Sequence, residues 1–542
     1  MNRSPITRWR WWAWTAISLH FLLVLFLGLS RHWGTLTSIN DLGVFDQAVW
    51  GTLHGQFLLN TSQFNQPINW LGFHFHPVIL LFVPLYAIAP YPEWFTLAQA
   101  LALSGAAWPI FLLASRIFKS ETAGLLWTII YLVNPFLLNA AAWDFHPIVL
   151  AVPFFALGLL AVERADSRLL LLSCLPLLFI QEHLGASVAS FGLLWGIRQK
   201  DWKTAVALIL LGLGHLLLVI ALIMPAFSPT GSHVMLAGDL GQLSRYGWLG
   251  DSAGDMVANL LRHPWLVAQK VLFDMRGAPY LVALLLPLLG FPLAAPVCLL
   301  PALPDLVANL LSANPMPKIL FSYHSVSLVP VLTIAAAYGA LHISRKLRRF
   351  SGEQISGLAI ISSIISGYAF APLPMPGAAN FWAPPRFLNA PDPAPAIIRA
   401  ALGAASVSVQ SNIGAHFSQR NQIYTYPRKL DDAEAIILRL ESPTKKLFPR
   451  GPEGIASLAS HLQMRPAEYL ASIECLLSGK KYGVFLWQDP WLVLKWGAAN
   501  STAESSLDVR IRQKLQQLRA EWQAEAAEYR EALQRCGKPK EP

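Results

Sequence analysis

Over its first 371 residues the chain alternates long apolar runs with short polar breaks, a rhythm that predicts a bundle of membrane-spanning helices. The first run, Trp11 to Ser30, follows a start that carries Arg3, Arg8 and Arg10. It reads as an uncleaved first helix with its basic end in the cytoplasm. Basic clusters at Arg116/Lys119, Arg164/Arg168, Arg198/Lys200/Lys203 and Arg345–Arg349 mark further cytoplasmic turns. The run from Pro77 to Pro90 is short and bracketed by prolines, so it reads as interfacial or re-entrant. Spans are then expected at 96–115, 121–141, 147–163, 168–182, 184–198 and 203–225. A polar external loop fills 226–277, and a hairpin at 279–313 turns on the inner side at Pro301–Asp305. Spans at 326–344 and 354–371 complete about eleven helices, with the C-terminus outside.

After Phe370 the pattern changes. Residues 372–395 are rich in Pro, Ala and Asn without helical period, and read as a linker. A short helix at 396–402 and strand-like runs at 405–409, 420–427, 435–438 and 482–494 follow. The stretch 503–534 reads as one long charged amphipathic helix. The expected fold class is therefore a mainly α polytopic membrane protein with a small C-terminal α/β domain. Residues 1–371 form the membrane domain (31–94 being its first external loop), 372–395 the linker and 396–542 the extracytoplasmic domain.

Composition supports this reading. Of 542 residues, 54% are hydrophobic and 13% charged, and 20 are Trp, which places the chain among integral membrane proteins. The net charge of +10 is what cytoplasmic loops require, and no basic stripe interleaved with aromatics points to nucleic acid. Cys174 and Cys298 fall in apolar runs; a Cys475–Cys536 pairing is left open by the spacing, and no zinc spacing occurs. GxGxxG, Walker and GxSxG patterns are missing from the C-terminal part, so nucleotide or acyl-transfer chemistry has no motif behind it.

The polar residues carry the functional signal. The expected topology places four groups on the outer face: Asp41/Asp46 with His74/His76, then Asp144/His146, then Glu182/His183, then Tyr323/His324. The inner ends carry Arg and Lys instead, so the working face is external. Ionisable groups beside a bilayer are costly and usually serve a cavity. A carboxylate there can take a proton from an acceptor, and histidines can stabilise a departing phosphate. Plainer readings compete. Asp41 could be a helix N-cap, and His74-x-His76 a metal pair or two histidines bonded to backbone. Without a fixed third ligand the expected metal set is none, with a divalent ion as the alternative.

Asp41-Leu42-Gly43-Val44-Phe45-Asp46-Gln47-Ala48-Val49-Trp50, Gly55, His74-x-His76-Pro77 with Pro84 and Tyr86, Asp144-Phe145-His146-Pro147 and Glu182 resemble the DUF2079 family of membrane proteins. So does the stretch Ser411-Asn412…His416-Phe417-Ser418-Gln419-Arg420…Ile423-Tyr424…Pro427. The family is similar in layout to GT-C membrane glycosyltransferases, which take sugars from polyprenyl-phosphate carriers. That resemblance implies Asp41 as general base, with Asp46 as substitute because the chain has Asp41-x4-Asp46 in place of a clean Asp-x-Asp pair. With it, Asp144, His146, Glu182, His183, Tyr323 and His324 are expected as substrate-binding groups, and His74 and His76 as groups that contact the phosphate or shape the loop. The run from Pro77 to Pro90 would form the carrier groove. The implied partners are a polyprenyl-phosphate sugar donor, an extracytoplasmic acceptor and the bilayer, in the cell membrane and with no cofactor. The rival expectations are a transporter or flippase of a lipid-linked or anionic solute, and a non-catalytic scaffold.

Overall fold

The computed structural model describes residues 7–64, 66–231, 245–373, 375, 392–442, 452–498 and 506–536. The chain divides into two compact units. One comprises Met1–Leu29, Asn69–Leu85 and Tyr91–Phe387; the other comprises Ser30–Ile68, Tyr86–Pro90 and Leu388–Pro542.

The first unit is helical. Helices Ala107–Phe118, Val152–Arg164, Leu184–Gln199 and Leu328–Leu347 each stop where Lys119, Ala165, Lys200 or Arg348 takes a left-handed conformation. The next helices are capped by side chains: Ser120 accepts from Ala123 N, Asp166 from Leu169 N, Asp201 from Thr204 N and Ser351 from Gln354 N. In three of these turns the left-handed stop is followed at once by the N-cap, and in the fourth Ser351 follows Arg348 three residues on; each satisfies backbone groups the helix end leaves open. These turns fall at the four basic clusters. Between Leu184–Gln199 and Trp202–Leu218, Gly185 and Gly212 face one another, and a Cβ on either would run into the other's carbonyl oxygen. Small residues let the two backbones approach closely.

The mainly helical membrane fold with a small C-terminal sheet stands, while the count of about eleven spans is not confirmed. Among the described residues, five helices are long and apolar enough to cross a membrane: Arg8–Trp33, Glu93–Phe118, Pro147–Arg164, Trp202–Phe227 and Leu328–Leu347. The number is seven if two bent pairs each count as one, Glu121–Leu132 with Pro135–Ala141 (52°) and Pro264–Asp274 with Gly277–Leu288 (73°). Ser167–Ile180 has 14 residues and Leu184–Gln199 has 16, short of the usual ~20. Proline explains the rest. Pro287, Pro292, Pro296 and Pro301 break the expected 279–313 hairpin into the 3-10 turns Leu286–Leu288, Phe291–Ala294 and Pro296–Ala302 before helix Leu303–Leu311. Pro77–Ile88 is likewise a 3-10 turn running into a short helix, below spanning length.

The second unit holds a five-stranded sheet: β1 (Val407–Val409), β2 (Ile423–Thr425), β3 (Ala435–Arg439), β4 (Tyr482–Gln488) and β5 (Trp491–Trp496). Its order is β2-β1-β3-β5-β4, with β1 parallel to β2 and β3 and the other pairs antiparallel. The expected single run 482–494 is thus a hairpin turning at Asp489-Pro490. One face packs helix Ala394–Leu402 through Ile398 and Leu402 against Val407, Val409 and Trp491. The other packs Tyr469, Leu470 and Ile473 of helix Pro466–Ser478 against Ile436, Leu438 and Leu492.

Two expectations change in this unit. The described part of the 503–534 stretch, from 506 on, is two helices, Ser506–Glu521 and Ala526–Gln534. Trp522 is buried in the core at the break, its Nε1 donates to Ser442 Oγ at 2.7 Å, and Gln523 is left-handed. Burying one large ring outweighs continuing the helix. Residues 30–68, expected within the membrane domain, fold with the C-terminal sheet. Ile39 lies in the same core as Ile398, Val407 and Phe417. The linker expected at 372–395 lies largely outside the described residues. Cys475 and Cys536 are joined as a disulfide, with Cα atoms 5.8 Å apart.

Candidate functional site

In the second unit, helix Leu42–Leu53 buries eight consecutive residues from Leu42 to Val49. A helix buried on all sides must satisfy its polar groups internally. Asp46 is fully buried and accepts from three donors: Tyr86 Oη at 2.7 Å, Gln419 Nε2 at 3.0 Å and Ser418 Oγ. Burial pushes its carboxyl above the usual range, against these hydrogen bonds and the charge of Arg399. Gln47 donates to Thr61 Oγ1 (2.8 Å) and to the Arg420 carbonyl (3.2 Å), and accepts from Asn60 Nδ2. Thr61 Oγ1 donates to the Ile423 carbonyl and accepts from its N–H, while Thr425 N donates to the Ser62 carbonyl. Residues 61–62 therefore cover the outer edge of β2, which protects an edge strand from stray pairing. Gly414 is needed at this join, since a Cβ there would strike Ile39.

Two of the stretches that carry the family resemblance, 41–50 and 411–427, thus meet each other. Asp41 differs from Asp46. It occupies the N-cap position of helix Leu42–Leu53 and is only partly buried, but its side chain makes no cap hydrogen bond. The plain N-cap reading of Asp41 fails.

In the first unit the remaining candidates gather. His74 leaves helix Trp70–Phe73 in extended conformation, so His74 and His76 project from alternate positions of one short run. Their rings stack 5.2 Å apart at 12°. Glu182 sits in the break between Ser167–Ile180 and Leu184–Gln199. His74 Nδ1 donates to its Oε1 at 3.2 Å, and the Phe75 backbone N–H donates to its Oε2 at 3.1 Å. Burial alone would raise this carboxyl; the His74 hydrogen bond and the surrounding histidine charges outweigh it and hold Glu182 well below the usual range. His76 is pushed the other way, far down, chiefly by burial and then by the charge of His74. Trp70 Nε1 donates to His76 Nδ1 at 3.1 Å.

His183 pairs with Asp305 (Nε2 to Oδ1, 3.1 Å), and Ser327 donates to the other Asp305 oxygen. Burial would lower the His183 imidazole, but the Asp305 charge and hydrogen bond prevail and raise it. Close by in electrostatic terms are His146 and His324, which stack on either side of Tyr323 with ring centres 3.5 and 4.2 Å away. His146 Nδ1 bonds the Asp144 carbonyl at 3.0 Å, and Asp144 itself is buried. Among the described residues, His74, His76 and Glu182 are the set whose ligand atoms converge on a metal-sized spot, all within 4.8 Å of one another.

Asp305 was missed. Its expected place was an inner turn, opposite Glu182 and His183 across a hydrocarbon core roughly 30 Å thick. The His183 contact excludes that, and the proline-broken course of 286–302 is the reason. A lone acid inside an apolar run was the signal available. Lys318 is buried, its ammonium donating to the Ser312 and Leu310 carbonyls.

The family model of the predicted membrane proteins DUF2079 matches residues 31–450. Among solved structures, ArnT from Cupriavidus metallidurans is similar at 12% identity, covering 89% of this chain and 97% of that one. The TM-score is 0.48 for ArnT bound to undecaprenyl phosphate and 0.44 for its apo state. No curated protein matches the chain.

Proposed function

The chain belongs to the DUF2079 family of predicted membrane proteins, and from that premise we propose that it is a GT-C-like glycosyltransferase. It moves a sugar from a polyprenyl-phosphate carrier to an extracytoplasmic acceptor. The observation that carries the reading is the cluster in the membrane-type unit: His74, His76 and Glu182 in one group, His183 with Asp305 beside it, and the His146–Tyr323–His324 stack. A helical unit that spends this many polar groups in one place has a charged ligand to hold. Histidine N–H groups suit a phosphate, whose charge grows as the carrier departs.

Asp41 takes the role of general base, since it is only partly buried whereas Asp46 is fully buried. Asp46, held by three donors, is a structural anchor. The Cys475–Cys536 disulfide supports an oxidising, extracytoplasmic setting for the C-terminal domain. The test is sugar transfer by purified protein from a panel of polyprenyl-phosphate sugars. Wild type transfers from at least one donor and Asp41→Asn loses at least about 100-fold; a correctly inserted Asp41→Asn protein with full activity refutes the base assignment.

A further inference from the structure

We infer that His74, His76 and Glu182 form a binding site for one divalent transition-metal ion of the Zn²⁺ class. One ligand atom from each lies within 4.8 Å of the other two. Two donors bound to one ion at about 2.0–2.2 Å stand roughly 3–3.5 Å apart. The His74 Nδ1 to Glu182 Oε1 separation is 3.2 Å, which suits two ligands of one ion as well as it suits a hydrogen bond. The extended backbone at His74 and the near-parallel rings bring two imidazoles to the same carboxylate. An outer partner is also in place: the Phe75 N–H grips Oε2 and turns Oε1 toward the imidazoles. Two imidazoles and one carboxylate are a donor set that suits Zn²⁺, and three protein ligands leave a coordination position for water or a phosphate oxygen.

Trp70 makes the inference sharper. Its indole N–H donates to His76 Nδ1 at 3.1 Å, so a neutral His76 carries its proton on Nε2. An ion bound through Nδ1 must displace the indole. An ion bound through Nε2 moves the proton to Nδ1, where it meets the same indole N–H. Either way the ion and the Trp70 N–H compete for His76, and removing the indole donor favours the ion. The inference does not depend on the transferase reading, and its test involves no activity.

The test uses full-length protein in detergent, stripped with a chelator and dialysed against Zn²⁺. Metal is counted by mass spectrometry, affinity is read by competition with a chelating dye, and Co²⁺ serves as a spectroscopic substitute. Wild type should hold one equivalent and give a Co²⁺ visible spectrum. Glu182→Gln and His74→Gln should weaken binding by about 100-fold or more, and Trp70→Phe should tighten it several-fold. Each variant is checked for folding by size-exclusion and circular dichroism. Wild type without stoichiometric metal, or folded Glu182→Gln with wild-type affinity, overturns the site. Unchanged or weaker binding in folded Trp70→Phe overturns the part assigned to His76.

Discussion

Asp41 and Asp46 lie five residues apart, and their surroundings separate their roles. Asp46 Oδ1 receives Tyr86 and Gln419 while Oδ2 receives Ser418, whose hydroxyl can instead donate to the Ala415 carbonyl at 2.9 Å. An asparagine can therefore keep the network: its oxygen serves Tyr86 and Gln419, and its NH₂ donates to Ser418. Asp46→Asn should fold and transfer sugar within a few-fold of wild type, whereas Asp46→Ala strands the donors and costs on the order of 2–4 kcal/mol in thermal or denaturant unfolding. The raised Asp46 carboxyl gives a pH signature as well. Between the ordinary carboxylate value and the raised one, the folded state holds a proton that the unfolded state has lost, so this contribution falls as pH rises through that window. Asp46→Asn should flatten that slope in unfolding midpoints measured against pH. For His183, whose side chain is 37% exposed, Asp305→Asn should shift the titration downward, read by NMR of labelled histidine. His74, His76 and Glu182 were legible in the sequence because acids and histidines beside apolar runs are conspicuous. Trp70 was not, since a tryptophan near a membrane reads as an anchor.

At the scale of elements, local signals were readable and distant partnerships were not. The four hairpin turns show in the sequence as a basic cluster followed by Ser or Asp. The stretch 411–427 gave no hint that it grips 39–62, because its partners lie some 360–385 residues away. The helix break at 522–525 has neither Gly nor Pro; burial of Trp522 decides it. The disulfide secures the last helix, Ala526–Gln534, by tying Cys536 just beyond it to Cys475 of Pro466–Ser478 across a separation of 61 residues. Cys475→Ser should lower stability by about 2–4 kcal/mol, and the intact protein should show two masked thiols that appear only on reduction. Full thiol reactivity at both cysteines in unreduced protein would remove the argument for an oxidising compartment.

At the scale of the molecule, the membrane class and the C-terminal α/β part followed from hydropathy and its abrupt end near Phe370. The number of spans is not confirmed, because hydropathy alone does not separate proline-broken segments and helices of 14–16 residues from helices long enough to cross. The boundary of the second unit was equally hidden, since composition does not reveal that residues 30–68 fold with a sheet that begins at Val407. The most direct measurement is transfer of labelled sugar from a polyprenyl-phosphate donor by wild type, Asp41→Asn and Asp46→Asn, prepared side by side in detergent. The transferase reading predicts activity in wild type and Asp46→Asn, and its loss in Asp41→Asn with folding intact. Equal activity in all three, or transfer lost in Asp46→Asn but kept in Asp41→Asn, would contradict it.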